Sequence, residues 1–95
     1  MTHIKINSED IKDWSSFHFW FQKQLGFPNY YGKNMDAWID CMDDLITEST
    51  VLDFGDCRLL KENNPDIINA ITECSAFVNF RKPQKMAMVV FRFTA

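Results

Sequence analysis

The stretch YYGKNMDAWIDCMDDLIT, Tyr30 to Thr47, carries two patterns at once. From Asn34 onward, Met35, Trp38, Ile39, Met42, Leu45 and Ile46 fall on one arc of a helical wheel, the spacing of a helix that faces a core. The opposite arc is acid. Asp36, Asp40, Asp43 and Asp44 recur at three- and four-residue spacing, so neighbouring carboxylates repel, each pair costing roughly 0.2–0.5 kcal/mol of helix stability. Asp36 in the first turn is favoured by the helix dipole, whereas Asp43 and Asp44 near the far end are opposed by it. No Lys or Arg in the helix offsets them, and a sequence shaped only for folding would break up such a stripe. The acidic arc, with the Tyr30-Tyr31-Gly32 loop before it, therefore reads as a surface for a basic partner.

The rest of the chain falls into place on both sides of this helix. Upstream, Thr2 to Asn7 alternates in period two, with Ile4 and Ile6 on one side, and reads as a first strand. Ser8 to Asp13 is polar and reads as a turn. A helix is predicted from Ser16 to Leu25, with Ser15 as its N-cap, Gly26 past its end and Pro28 beyond. Phe17, Phe21 and Leu25 with His18 form its inward stripe, and Trp14 and Phe19 have the spacing of a hydrophobic staple across that cap. Asn34 caps the acidic helix. Downstream, Thr50 to Phe54 is a short β-rich run, Asp56 to Glu62 one or two helical turns, and Asn63-Asn64-Pro65 a boundary. Pro65 suits the first turn of a last helix reaching Phe80, with Ile67, Ile68, Ile71, Cys74, Ala76, Phe77 and Val78 as its apolar positions. Lys82-Pro83 ends it, and Met86 to Phe93 closes the chain as an apolar strand. Strands separated by helices imply parallel pairing, so the fold class is α/β: a three-stranded parallel sheet packed with three to four helices.

Ninety-five residues suit one domain, spanning 1–95, and 46% hydrophobic content argues against disorder. A net charge of −3 argues against direct binding to nucleic acid or an anionic membrane, since both require a positive surface. The charge is also unevenly placed. From Asn34 to Asp56 there are seven acids and no base, and from Arg81 to Arg92 four bases and no acid, a polarity that can steer association. Cys41, Cys57 and Cys74 are odd in number and lack C-x-x-C spacing, which reads as reduced, mostly buried thiols in a cytoplasm. The first residues have no export pattern, and the run MAMVVF is too short to span a bilayer.

The run PNYYGKNMDAWIDCMDDL resembles the loop and second helix of the barstar family, small bacterial ribonuclease inhibitors. The shared pattern is P-x-Y-Y-G-x-N-hydrophobic-D-A-x-x-D-C, carried by Pro28, Tyr30, Tyr31, Gly32, Asn34, Met35, Asp36, Ala37, Asp40 and Cys41. A weaker likeness in length and element order extends over nearly the whole chain. The resemblance implies a barstar-like fold and a one-to-one complex with a basic ribonuclease or related nuclease toxin, formed by a chain that is monomeric when free. It implies an antitoxin or immunity role, with Asp40 and Asp36 entering the nuclease active site and Tyr30, Gly32 and Asn34 beside them. A carboxylate on a rigid helix can accept paired hydrogen bonds from guanidinium and imitate phosphate oxygens. Met35, Ile39, Asp43, Asp44 and Leu45 complete the expected surface, and a family acid on the last helix aligns with Glu73 or, one residue on, Cys74, of which Glu73 is carried as a contact. Two departures bear on the partner. The family's namesake carries tryptophans where this chain has Ile39 and Leu45, and small or neutral residues where this chain has Asp43 and Asp44.

Other classes fare less well. The aspartates lack the alternating loop spacing and backbone ligands of an EF-hand, so no metal or other cofactor is expected. His3 and His18 stand in no nucleophile context, and Gly26, Gly32 and Gly55 form no phosphate loop, so no catalysis is expected. Two rivals remain: a non-catalytic adaptor docking through an aromatic patch near Trp20, and an inhibitor of a different nuclease toxin.

Overall fold

Strands β1 (Thr2–Lys5), β2 (Thr50–Asp56) and β3 (Ala87–Arg92) lie side by side in that order and pair in parallel. In this computed structural model residues 1–81 and 87–93 are described. Helices α1 (Trp14–Gln24) and α2 (Met35–Leu45) connect β1 to β2, and α3 (Arg58–Asn63) and α4 (Pro65–Arg81) connect β2 to β3. Parallel neighbours need such long crossovers, because a hairpin can only return the chain antiparallel. The expected three-stranded parallel α/β fold is the fold observed. Lys82-Pro83, the expected end of α4, and Met86, the expected start of the last strand, lie outside the described residues.

The register aligns Ile4 with Leu52 and Leu52 with Val89. Leu52 and Phe54, two residues apart on β2, are shut off from solvent, and the Phe54 ring meets Phe21 of α1 at 6.5 Å. That face carries the helices. The alternate positions look the other way, where His3 pairs with Asp53 at 3.2 Å and Met88 and Val90 are partly open to water. Between Asp53 and Asp56 the pairing of β2 with β3 shifts, and Gly55 takes the extra step with φ +61°, a conformation that favours glycine.

Helix α1 begins two residues earlier than the sequence suggests. Its N-cap is Asp13, not Ser15: the Asp13 carboxylate accepts from the Ser16 N–H at 2.8 Å, and the Ser16 hydroxyl accepts from the Asp13 N–H at 3.0 Å. A reciprocal box satisfies two otherwise unpaired donors, which a lone Ser15 cannot do. The shift also dissolves the expected Trp14–Phe19 staple. Trp14 instead stacks on His18 and meets Phe17 edge-on, while Phe19 points to solvent beneath the Lys23 ammonium. Phe17 and Phe21 are buried as expected, and they meet Trp38 of α2 at 6.4 and 5.6 Å. In α4 the inward positions are Ile67, Ile68, Ile71, Ser75 and Val78, whereas Phe77 and Ala76, expected among them, face outward.

Candidate partner-binding site

The loop between α1 and α2 is held from below. After Gly26, which has φ +69°, Phe27 drops into the core against Phe21, and the Tyr31 N–H donates to the Pro28 carbonyl at 2.9 Å. Tyr31 follows Phe27 inward, only 5% exposed, and its hydroxyl is hydrogen-bonded to His18 Nδ1. Burial pushes ionisation of the Tyr31 hydroxyl above its ordinary range. Burial, aided by the charge of Lys33, lowers the His18 pKa. A phenol that keeps its proton and an imidazole that stays neutral match as donor and acceptor. With one tyrosine pinned, its neighbour is thrown outward: Tyr30 is 88% exposed.

Lys33, at φ +55°, turns the chain into the helix, and Asn34 caps it by accepting from the Ala37 N–H at 2.8 Å. The Asn34 amide also donates to the Gly32 carbonyl at 3.3 Å. A Cβ at position 32 would come 3.1 Å from that amide nitrogen, so glycine lets the loop close on the cap. Gly32 and Asn34 are exposed, and Met35 is half-buried.

Along α2 the apolar arc behaves as read. Trp38 and Met42 are buried, Ile46 is buried at the C-cap, and Ile39 is half-buried against the core. Burying that arc turns Asp36, Asp40 and Asp44 to solvent at four-residue spacing, and Leu45 is partly open beside them. An open groove of about 380 Å³ separates this arc from the loop, with Leu25, Pro28 and Tyr30 on one wall and Asp40, Asp44 and Leu45 on the other. Cys41 lies in the groove, but burial and the Asp44 and Asp40 charges push its thiol pKa up, which disfavours the nucleophilic thiolate. Glu73 is exposed on α4, and burial, with the Glu73 and Asp36 charges, raises the Cys74 thiol in the same way.

Asp43 is corrected. The sequence reading places it on the solvent arc with no base to offset it, yet it is 6% exposed and its Oδ2 lies 3.3 Å from Arg81 Nη1 at the end of α4. The same nitrogen stands 3.9 Å from Asp40 Oδ1. A one-helix wheel cannot see a neighbouring helix: α2 lies along α4, so its acidic arc is cut where α4 arrives, and the carboxylate at the boundary is covered and paired. The run of bases after Arg81 is legible in the sequence, but nothing local assigns Arg81 to Asp43. Trp20, the anchor of the adaptor reading, is half-buried against the core and meets Phe21 edge-on.

The sequence model of the family described as Barstar (barnase inhibitor) matches residues 1–92 of this chain. The chain belongs to the barstar family. The match runs from β1 through β3 and takes in α1 to α4, and the family is one of inhibitors of barnase-type ribonucleases. Among the described residues no helix is long and apolar enough to cross a membrane, and no three His, Cys, Asp or Glu side chains converge as a metal site.

Proposed function

We propose that this chain is a reversible, one-to-one protein inhibitor of a basic barnase-type ribonuclease, acting in the bacterial cytoplasm as the antitoxin that protects the cell making both proteins. The observation that carries the reading is the row Asp36, Asp40 and Asp44, solvent-facing on a helix whose other side is locked into the core, beside an outward Tyr30. A ribonuclease groove must hold phosphate with cationic side chains, and the same cations accept carboxylates fixed in advance. Asp40, at the middle of the row, is the plug and Asp36 its neighbour. Tyr30, Gly32, Asn34, Met35, Ile39, Asp44, Leu45 and Glu73 form the surrounding surface, with Tyr30 offering a large planar area at little entropic cost. Asp43 supports this surface from beneath, through Arg81, instead of contacting the partner. The chain itself supplies binding and exclusion of RNA, and no catalytic step.

The test is an RNA-cleavage assay with barnase and a panel of basic microbial ribonucleases, titrated with the wild-type chain and with the Asp36→Ala/Asp40→Ala variant. Stoichiometric inhibition by the wild type, abolished in the variant, is the expected result. Failure of the wild type to inhibit any of them at micromolar concentration overturns the proposal. Inhibition of a DNA-cleaving toxin instead would keep the acidic plug and discard the ribonuclease.

A further inference from the structure

Helices α2 and α4 lie alongside one another in the same sense: the Asp36 charge reaches Cys74, and seven residues further along both helices Arg81 reaches Asp43. The outward stripe of α4 therefore runs beside the acidic row. That stripe contains Phe77, 51% exposed, and Phe80, 86% exposed. A folded chain of this size gains nothing by holding two phenyl rings in water, and neither side chain fills the core. Arg81 bridges the two helices at this point. The Arg81 guanidinium touches the acidic row through Asp43 and Asp40 and lies 5.8 Å from the centre of the Phe77 ring, so the surface passes from carboxylate to guanidinium to aromatic ring without interruption.

We propose that Phe77 and Phe80, with Arg81 as the joint, form a second arm of the inhibitory surface, which packs on an apolar or guanidinium-bearing wall beside the cationic groove of the same basic ribonuclease. This rests on the reading of Asp36 and Asp40 as the plug. Its motive is an asymmetry in α2, where the positions flanking the plug are the aliphatic Ile39 and Leu45, one half-buried, leaving Tyr30 as the aromatic group on the loop side. Aromatic side chains at the edge of a charged contact exclude water from it and slow dissociation, whereas exposed acids mainly accelerate encounter. The arms differ in kinetics. Asp40, as the plug, bears both on an association rate that falls with salt and on dissociation, whereas the phenyl rings bear on dissociation alone, which for them salt leaves nearly unchanged.

Stopped-flow association and dissociation with barnase as the probe separate them, using Phe77→Leu, Phe80→Ser, the pair together, and Asp40→Asn. Phe80→Ser alters a side chain in solvent and Phe77→Leu keeps apolar volume, so thermal midpoints should hold within a few degrees and report any failure to fold. The paired variant is expected to dissociate at least about tenfold faster with its association rate and salt slope unchanged. Dissociation within twofold of wild type, while Asp40→Asn still weakens binding, overturns the second arm and leaves the plug intact. A wild-type chain that does not inhibit barnase overturns the plug and the arm together. Sedimentation of the free chain covers the remaining occupant: self-association abolished by Phe80→Ser would assign the rings to a second copy of this chain and overturn the proposal.

Discussion

Replacing Arg81 by Ala removes a guanidinium in contact with Asp43. Two unit charges 3.3 Å apart attract by about 5 kcal/mol at an effective dielectric of about 20 and by about 1 kcal/mol in bulk water. The Asp43 side chain is almost fully covered while that of Arg81 is about half open, so the operative value lies between these limits. Some of it offsets the cost of dehydrating Asp43, and the net loss on removing Arg81 should be about 1–3 kcal/mol, because a covered carboxylate loses a charged group in direct contact with it. For a domain of this length that corresponds to a fall in the thermal midpoint of roughly 5–20 °C. The weaker contact with Asp40, at 3.9 Å between open side chains, adds little. The assay is a double-mutant cycle by thermal and urea denaturation with Asp43→Asn. That change alone leaves Arg81 free to hydrate and should cost less than Arg81→Ala, and the double variant should be more stable than Arg81→Ala. If Arg81→Ala costs under about 0.5 kcal/mol, or if the two changes simply add, the pair does not hold α4 to α2 and the account of Asp43 is wrong.

The outward acids should behave in the opposite way. Asp36→Ala with Asp40→Ala relieves like-charge repulsion on one helix face, so its thermal midpoint should stay level or rise while inhibition is lost; a marked drop in the melting curve would assign these two residues to folding. Association with a basic ribonuclease should slow steeply as salt is raised past the point where the screening length falls to about 10 Å, near 0.1 M. An association rate indifferent to salt would remove electrostatic steering from the mechanism. Stability should also depend on pH through His18. Its folded-state pKa lies below the ordinary value of 6.5, so the unfolded chain takes up more protons in that window: stability is constant above 6.5 and declines as pH falls from there through the lowered value. His18→Gln should flatten that slope, and a slope unchanged in this variant would place its origin elsewhere. The carboxylates lie lower. Asp56, hydrogen-bonded to Arg58, is held at about 2, so its contribution disappears only as pH falls from 3.8 toward that value.

Periodicity and punctuation carried most of the fold. Alternation at Ile4 and Ile6, the Asn34 cap, the three- and four-residue recurrence of Trp38, Ile39 and Met42, and Pro65 at a helix start are all local signals, set by backbone geometry within a turn or two of the residue concerned. They placed the elements in order, and the order implied the parallel sheet. The start of α1 escaped because two good caps, Asp13 and Ser15, stand two residues apart, and only the reciprocal bonds between Asp13 and Ser16 decide between them. The side chain of Tyr31 goes inward and that of Tyr30 outward because His18, thirteen residues away, waits beneath the loop.

By itself, the sequence determined that one helix would carry an apolar arc and an acidic one, because a helix repeats every 3.6 residues whatever surrounds it. Where the acidic arc ends was a tertiary decision. Asp43 has the same chemistry and the same local spacing as Asp40 and Asp44, yet α4 covers it and brings Arg81 to its carboxylate, while its neighbours remain in water. Contact between helices depends on how far the sheet and its crossovers bring them together, and no short window of residues contains that distance.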